Sequence, residues 1–211
     1  MTKLTGDDLT RTRRSWHGLA ELVLAGPQYR TSGTIRLRIT PGGFATVKDP
    51  DLRVDGDHLV AGDRRLPTAG LTFAQVAEAA GVSPGRPEDL YPDGSGAAPD
   101  DPVEIVGAAA ELLAGAFTRG DAALRAFAPD QTPVLWPEHF DVGVTVDEIN
   151  YGVSPGDGYL DEPYAYVGPH TPRTGPFWNA PFGATRPMRE LPDVDAVLGF
   201  FAQGRAAAAP N

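Results

Sequence analysis

Leu135-Trp136-Pro137-Glu138-His139-Phe140-Asp141 and its sequel Asn150-Tyr151-Gly152-Val153-Ser154-Pro155-Gly156-Asp157 bring imidazole, carboxylate, amide and aromatic groups together between residues 135 and 157. From His139 to Val146 apolar and polar residues alternate, the period of a strand with one buried face. Phe140, Val142, Val144 and Val146 share that face, and His139, Asp141, Gly143 and Thr145 share the other, with His139 and Asp141 roughly 7 Å apart at Cα by the strand rise. An imidazole beside a carboxylate is the pattern of a general base or of two metal ligands, because the acid orients the ring and raises its basicity. His139, Asp141 and the adjoining Glu138 are therefore the candidate catalytic residues; facing water, the same pattern is a polar strand face.

A metal would need a third donor. His17, Glu138, Asp157 and Glu162 show neither the His-x-x-x-His nor the His-Glu-x-x-His spacing that specifies one, so no metal site is assigned and the cofactor stays unknown. Ser154-Pro155-Gly156-Asp157 reads as a tight turn, without the glycine spacing or lysine of a phosphate loop and without a Gly-x-Ser-x-Gly nucleophile. Tyr164 and Tyr166 alternate onto one strand face, and Phe177-Trp178-Asn179 adds rings and an amide. Trp136, Asn150, Tyr151, Asp157, Tyr164, Tyr166, Trp178 and Asn179 are the candidate ligand contacts; a core of large amphipathic rings is the alternative. His17 and Glu21, four apart on one flank of a helix, have the spacing to carry a proton or a metal, and otherwise read as an ordinary surface pair.

These residues need elements to hold them. Trp16, Leu19, Ala20, Val23 and Leu24 make one helical stripe over residues 10–25, ended by Gly26-Pro27. Ile35, Leu37 and Ile39 alternate into a hairpin with Phe44–Val47, and Leu52–Val54 and His58–Val60 flank a second. Thr72 and Gln75 form a capping box for a short helix closed by Gly81. Asp101, Pro102 and Glu104 predict a helix from Pro102 to about 127, with Asp101 as its cap, and Asp193–Arg205 predicts another. Trp136, before a proline and a strand, is expected to be buried.

The fold class expected is α+β, a largely antiparallel sheet with helices packed on one side, in a single domain over 1–211 with a flexible Pro/Gly/acid-rich insertion at about 83–99. Hydrophobic residues make up 41% of the chain, enough for a core. The net charge of −10 argues against nucleic acid and anionic membrane surfaces as partners. Without cysteine, disulfides and thiolate chemistry are excluded. With no apolar leader after Met1-Thr2-Lys3 and no long apolar run, a cytoplasmic location is expected. Oligomeric state is unspecified.

Ser15-Trp16-His17, Thr40-Pro41-Gly42-Gly43-Phe44, Leu135–Asp141, Asn150-Tyr151-Gly152, Ser154–Asp157, Glu162-Pro163-Tyr164, Val167-Gly168-Pro169 and Phe177-Trp178-Asn179 together resemble a group of uncharacterised actinobacterial proteins. The C-terminal third is also similar to a bacterial domain of unknown function with a Trp-Pro-Gly-Asp-like turn, Ser154 standing at its aromatic position. Neither resemblance implies an activity. The residues alone lead to a small-molecule-binding protein or enzyme with an aromatic-walled polar pocket; a metal-assisted hydrolase using His139 and nearby carboxylates, and a non-enzymatic interaction module, are the alternatives.

Overall fold

A computed structural model describes residues 4–209; Met1-Thr2-Lys3, part of the N-terminal stretch read for a leader, lie outside them. The fold is α+β, and every registered strand pair is antiparallel. Two compact units are distinguished, residues 1–115 with 135–140 and residues 116–134 with 141–211.

The first unit begins with a helical arm in three parts: α1 (Gly6–Gly18), a π-helical segment (Leu19–Ala25) and α2 (Gly26–Ser32). Thr5 caps it, its hydroxyl accepting from Asp8 N while Asp8 returns a bond to Thr5 N. Gly26-Pro27 does not end the helix as expected. Pro27 lies within the continuous arm, where the Leu22 carbonyl five residues earlier accepts from Gly85 N in place of the N–H that proline lacks, and the left-handed Gly33 terminates the arm.

Strands β1 (Leu37–Thr40), β2 (Gly43–Thr46), β3 (Leu52–Asp55), β4 (His58–Ala61) and β5 (Arg64–Pro67) follow as a meander. Ile35 falls short of β1, so the first hairpin is shorter than its alternation implies. Helix α3 (Phe73–Ala80) has the expected Thr72/Gln75 capping box and left-handed Gly81. The core gathers Trp16, Leu19, Phe44, Leu52, Val54, Leu59 and Phe73.

Residues 83–99 form no helix or strand, yet hydrogen bonds tie them to the arm: Gly85 N donates to Leu22 O (3.0 Å) and Ser95 N to Glu21 (2.9 Å). The helix expected from Pro102 starts instead at Gly107, as α4 (Gly107–Phe127). Pro102 bridges Thr72, and Glu104 N and Val106 N donate to the Ser15 and Thr12 hydroxyls (2.8 and 3.0 Å). Asp101 caps a turn at Ala98 N (2.8 Å), not a helix. Leu135 of β6 (Val134–Trp136) pairs with Leu37.

In the second unit β7 (Asp141–Val146), β8 (Ile149–Ser154), β9 (Tyr164–Pro169) and β10 (Ala184–Pro187) pair in sequence order. Asp147 and Glu148, both at positive φ (52° and 60°), make the two-residue β7–β8 turn. Val153, Tyr151, Ala165 and Val167 bury one face with Leu124, Phe127 and, from α5 (Val194–Ala208), Val197 and Phe201. Asp193 caps α5 at Ala196 N (2.8 Å).

Candidate functional site

Pro137–Phe140 is a turn rather than the start of a strand: Phe140 N donates to Trp136 O (2.8 Å) and Phe140 has a left-handed φ of 53°. The strand alternation therefore does not reach His139. Its side chain is 72% exposed, with Nε2 3.7 Å from Glu138 Oε1. Trp136 is half-buried, against expectation, because Arg36 rather than a packed core covers it, the guanidinium lying 5.8 Å from the ring centroid.

Asp141 opens β7 and is 8% exposed. The Tyr166 hydroxyl donates to its Oδ2 in a short bond, and burial, reinforced by the Asp141 charge, pushes the Tyr166 pKa well up. Gly143 and Gly152 face each other across β7 and β8 because the Tyr166 ring lies over them; a Cβ on Gly152 would come within 2.5 Å of that ring and 2.6 Å of Val142 O. Beside it, the Tyr164 hydroxyl donates to Asp157 Oδ2 (2.5 Å), and Asp157 Oδ1 accepts from Tyr159 N and Leu160 N (2.8 and 3.1 Å). Ser154 is buried, its hydroxyl accepting from Gly156 N (3.1 Å). Asn150 shares this face but stands opposite Thr145, four residues along the ladder from Asp141's end, roughly 13 Å by the strand rise, and accepts from the Thr145 hydroxyl (2.7 Å).

Tyr151 points the other way, into the core, 4.5 Å from the Phe127 ring. Asn179 holds β10, donating to Thr185 O (3.1 Å) and accepting from Thr185 N (2.8 Å), while half-buried Trp178 stacks edge-on to Phe177. Asp141, Tyr166, Tyr164 and Asp157 thus meet, but as tyrosine–carboxylate pairs that use each other's hydrogen-bonding capacity.

A second group of ionisable side chains lies in the first unit. Glu21 is no surface residue: it lies in the π-helical segment, which is buried on every side, and is 2% exposed. Its Oε2 accepts from Ser95 N and from the Ser95 hydroxyl (2.9 and 2.5 Å). Its Oε1 is buried, and so is the Tyr91 hydroxyl. Tyr91 faces Glu21: burial first, then the Glu21 charge and a hydrogen bond to the Glu21 side chain, raise its pKa, with Glu138 adding a smaller push. Arg86 Nε is 3.9 Å from Oε1, and its guanidinium stacks over the Tyr91 ring at 5.2 Å. Arg86 and Tyr91 also line an open cavity of about 480 Å³ with Glu88, Asp89, Leu90 and Pro92.

His17, one helical turn before Glu21, stacks on Phe140 (5.2 Å, 9° between planes) and has Nε2 2.7 Å from Pro137 O, which requires the proton on Nε2. π-Helical segments are rare and recur at functional sites. The sequence offered one signal for this one, a single acid inside the apolar run from Leu19 to Ala25.

Among the described residues no three His, Cys, Asp or Glu side chains are grouped to hold a metal ion, and no helix is long and apolar enough to cross a membrane. Comparison with protein-family models, with curated proteins and with solved structures found no match.

Burial lowers the His17 pKa, against the opposing pull of the Pro137 carbonyl and the Glu21 charge. The native state thus binds fewer protons here than the unfolded chain, so this contribution is present above the unfolded value of about 6.5 and is lost as pH falls through the lowered folded value. His17→Gln is expected to flatten part of the decline in denaturation midpoint between about pH 7 and pH 5. Parallel pH profiles for the two proteins would show that His17 is not held neutral.

Proposed function

We propose that the protein binds a small molecule through the cavity bounded by Arg86 and Tyr91, with Glu21 as its anchor. The observation that carries this reading is the Glu21 carboxylate, enclosed in the fold beside the two cavity residues Arg86 and Tyr91. Holding a carboxylate out of water costs free energy, and ionisable groups held so beside a cavity are candidates for a functional role. The open cavity, about 480 Å³, has charged, aromatic and apolar walls. Glu138 retains a part, through its field at Tyr91, and His139 one through its field at His17.

The test is ligand-observed NMR with a mixture of small neutral, cationic and anionic compounds. Saturation transfer to at least one compound is expected for the native protein and is expected to disappear in Glu21→Gln, which keeps the acceptor for Ser95 but loses the charge. A mixture silent on the native protein, or one whose signals survive Glu21→Gln unchanged, would remove Glu21 as the anchor of a site.

A further inference from the structure

Arg11, Arg14 and Ser15 lie three and four residues apart and so share one face of α1, which walls a cavity of about 370 Å³ together with Ser95 and Ala97 of the 83–99 strap and the 101–104 connector. This cavity has no wall residue in common with the one bounded by Arg86 and Tyr91. Its charges are not all spent. Arg11 is paired with Asp8 at 2.6 Å, and Glu104 reaches only Arg11, at 4.0 Å. Arg14 and Asp101 line the same cavity with opposite charge, yet neither forms an ion pair with the other or with any other described residue. Asp101 accepts from Ala98 N through Oδ2 (2.8 Å), which leaves Oδ1 to spare. Ser15 is 5% exposed; its hydroxyl accepts from Glu104 N (2.8 Å) and donates to no described residue, so a buried proton donor stands in the cavity wall.

The unused groups are thus a guanidinium, a hydroxyl proton and a carboxylate. A simple anion would satisfy the first two and bring its charge against Asp101 and Glu104; a simple cation would satisfy the third and meet Arg11 and Arg14. A molecule that carries both a carboxylate and an ammonium matches all three and adds no net charge. Its carboxylate has the planar shape that a guanidinium grips through two parallel N–H bonds, with the Ser15 hydroxyl as a further donor. Its ammonium has three protons to share between Asp101 Oδ1 and the Glu104 carboxylate. Phe73, Ala97 and Pro102 complete the wall as apolar surface for an aliphatic part.

We infer that this cavity is a second binding site, for an apolar amino acid or a short apolar peptide whose ammonium and carboxylate are both free, Arg14 and Ser15 taking the carboxylate and Asp101 the ammonium. The inference goes beyond the reading of Glu21 and does not depend on it. Ser95 belongs to both places, since it lines this cavity while its backbone N and hydroxyl donate to Glu21.

Isothermal titration of the full chain with L-leucine and L-leucyl-L-alanine tests the inference, with isocaproate, which lacks the ammonium, and isoamylamine, which lacks the carboxylate, as single-charge comparisons. Saturable binding of leucine or the dipeptide is expected, the tighter of the two telling a free amino acid from a peptide, and each single-charge compound should bind about fivefold or more weakly. Arg14→Gln should weaken the zwitterion about fivefold and leave isoamylamine unchanged. Asp101→Asn, which keeps an acceptor for Ala98 N, should weaken the zwitterion to a similar extent and leave isocaproate unchanged. Circular dichroism of both variants separates lost binding from lost folding. Isocaproate or isoamylamine bound as tightly as the zwitterions would overturn the ligand class, and zwitterion affinity unchanged in both variants would overturn the site. Silence of both zwitterions would overturn the inference while leaving the Glu21 reading, which Glu21→Gln tests, untouched.

Discussion

Gly26→Ala is expected to destabilise the protein by about 3 kcal/mol and to release the 83–99 strap from the helical arm. Gly26 is helical, with φ −62°, so its own backbone has no need of glycine, and alanine there would by propensity alone gain about 1 kcal/mol. The close approach of another segment reverses the sign. A Cβ on Gly26 would lie 1.6 Å from Gly85 O and 2.8 Å from Gly85 C, both backbone atoms that no rotamer change can move aside. Gly85 must retreat, breaking its bond to Leu22 O and pulling on the Ser95 contact that holds Glu21. Limited proteolysis should then cut within 83–99 at protease levels that spare the native chain. Gly199→Ala in α5, where nothing lies within 4 Å of the added carbon, is the control and should stabilise by about 0.5–1 kcal/mol. If Gly26→Ala behaves like Gly199→Ala, the strap does not pack on the arm, and the Glu21 site loses its cover.

Elements set by local chemistry were legible in the sequence. The Thr72/Gln75 box closes with bonds of 3.3 and 2.9 Å between residues three apart, and neither depends on the rest of the chain. Asp101-Pro102-Val103-Glu104 carries the same kind of start signal and yet begins no helix. The N–H groups that a cap would satisfy at Glu104 and Val106 find hydroxyls about ninety residues away, on Ser15 and Thr12, and that pairing has no signature in either segment. The short β5 and β10 were missed for a related reason: each is four residues long and set by its neighbour's free edge rather than by alternation of its own.

The candidate site was legible as a set of residue types and not as an arrangement. Strand periodicity was carried backward through Phe140, whose left-handed φ breaks it and detaches His139 from β7. The reading of Tyr164 and Tyr166 as one face holds, and the facing glycines 143 and 152 explain why rings are tolerated there. Glu21 escaped because a 3.6-residue period was assumed through Leu19–Ala25. All seven residues of that segment are buried, so it has no solvated flank, and the acid is enclosed with the rest.

The aromatic ring on which the first unit most depends is Trp16, and not Trp136. Trp16 is 0% exposed, packs edge-on against Phe44 at 5.6 Å, and donates Nε1–H to Gly56 O at 3.0 Å. Trp16→Ala removes the largest fully buried side chain, opens a cavity among Leu19, Phe44 and their neighbours, and leaves the Gly56 carbonyl without its donor. The expected cost is about 3–5 kcal/mol, a large part of the stability of an ordinary domain. Trp136→Ala, with its ring half in solvent under Arg36, should cost only about 1 kcal/mol. Fluorescence distinguishes the two independently of stability: in a Trp178→Phe background, adding Trp136→Phe should leave an emission that iodide quenches poorly, whereas adding Trp16→Phe should leave one that iodide quenches readily. Equal quenching, or equal denaturation midpoints for Trp16→Ala and Trp136→Ala, would mean that the helical arm does not close over the β1–β3 meander, and Glu21, carried on the same arm five residues further on, would then lose the enclosure on which its role depends.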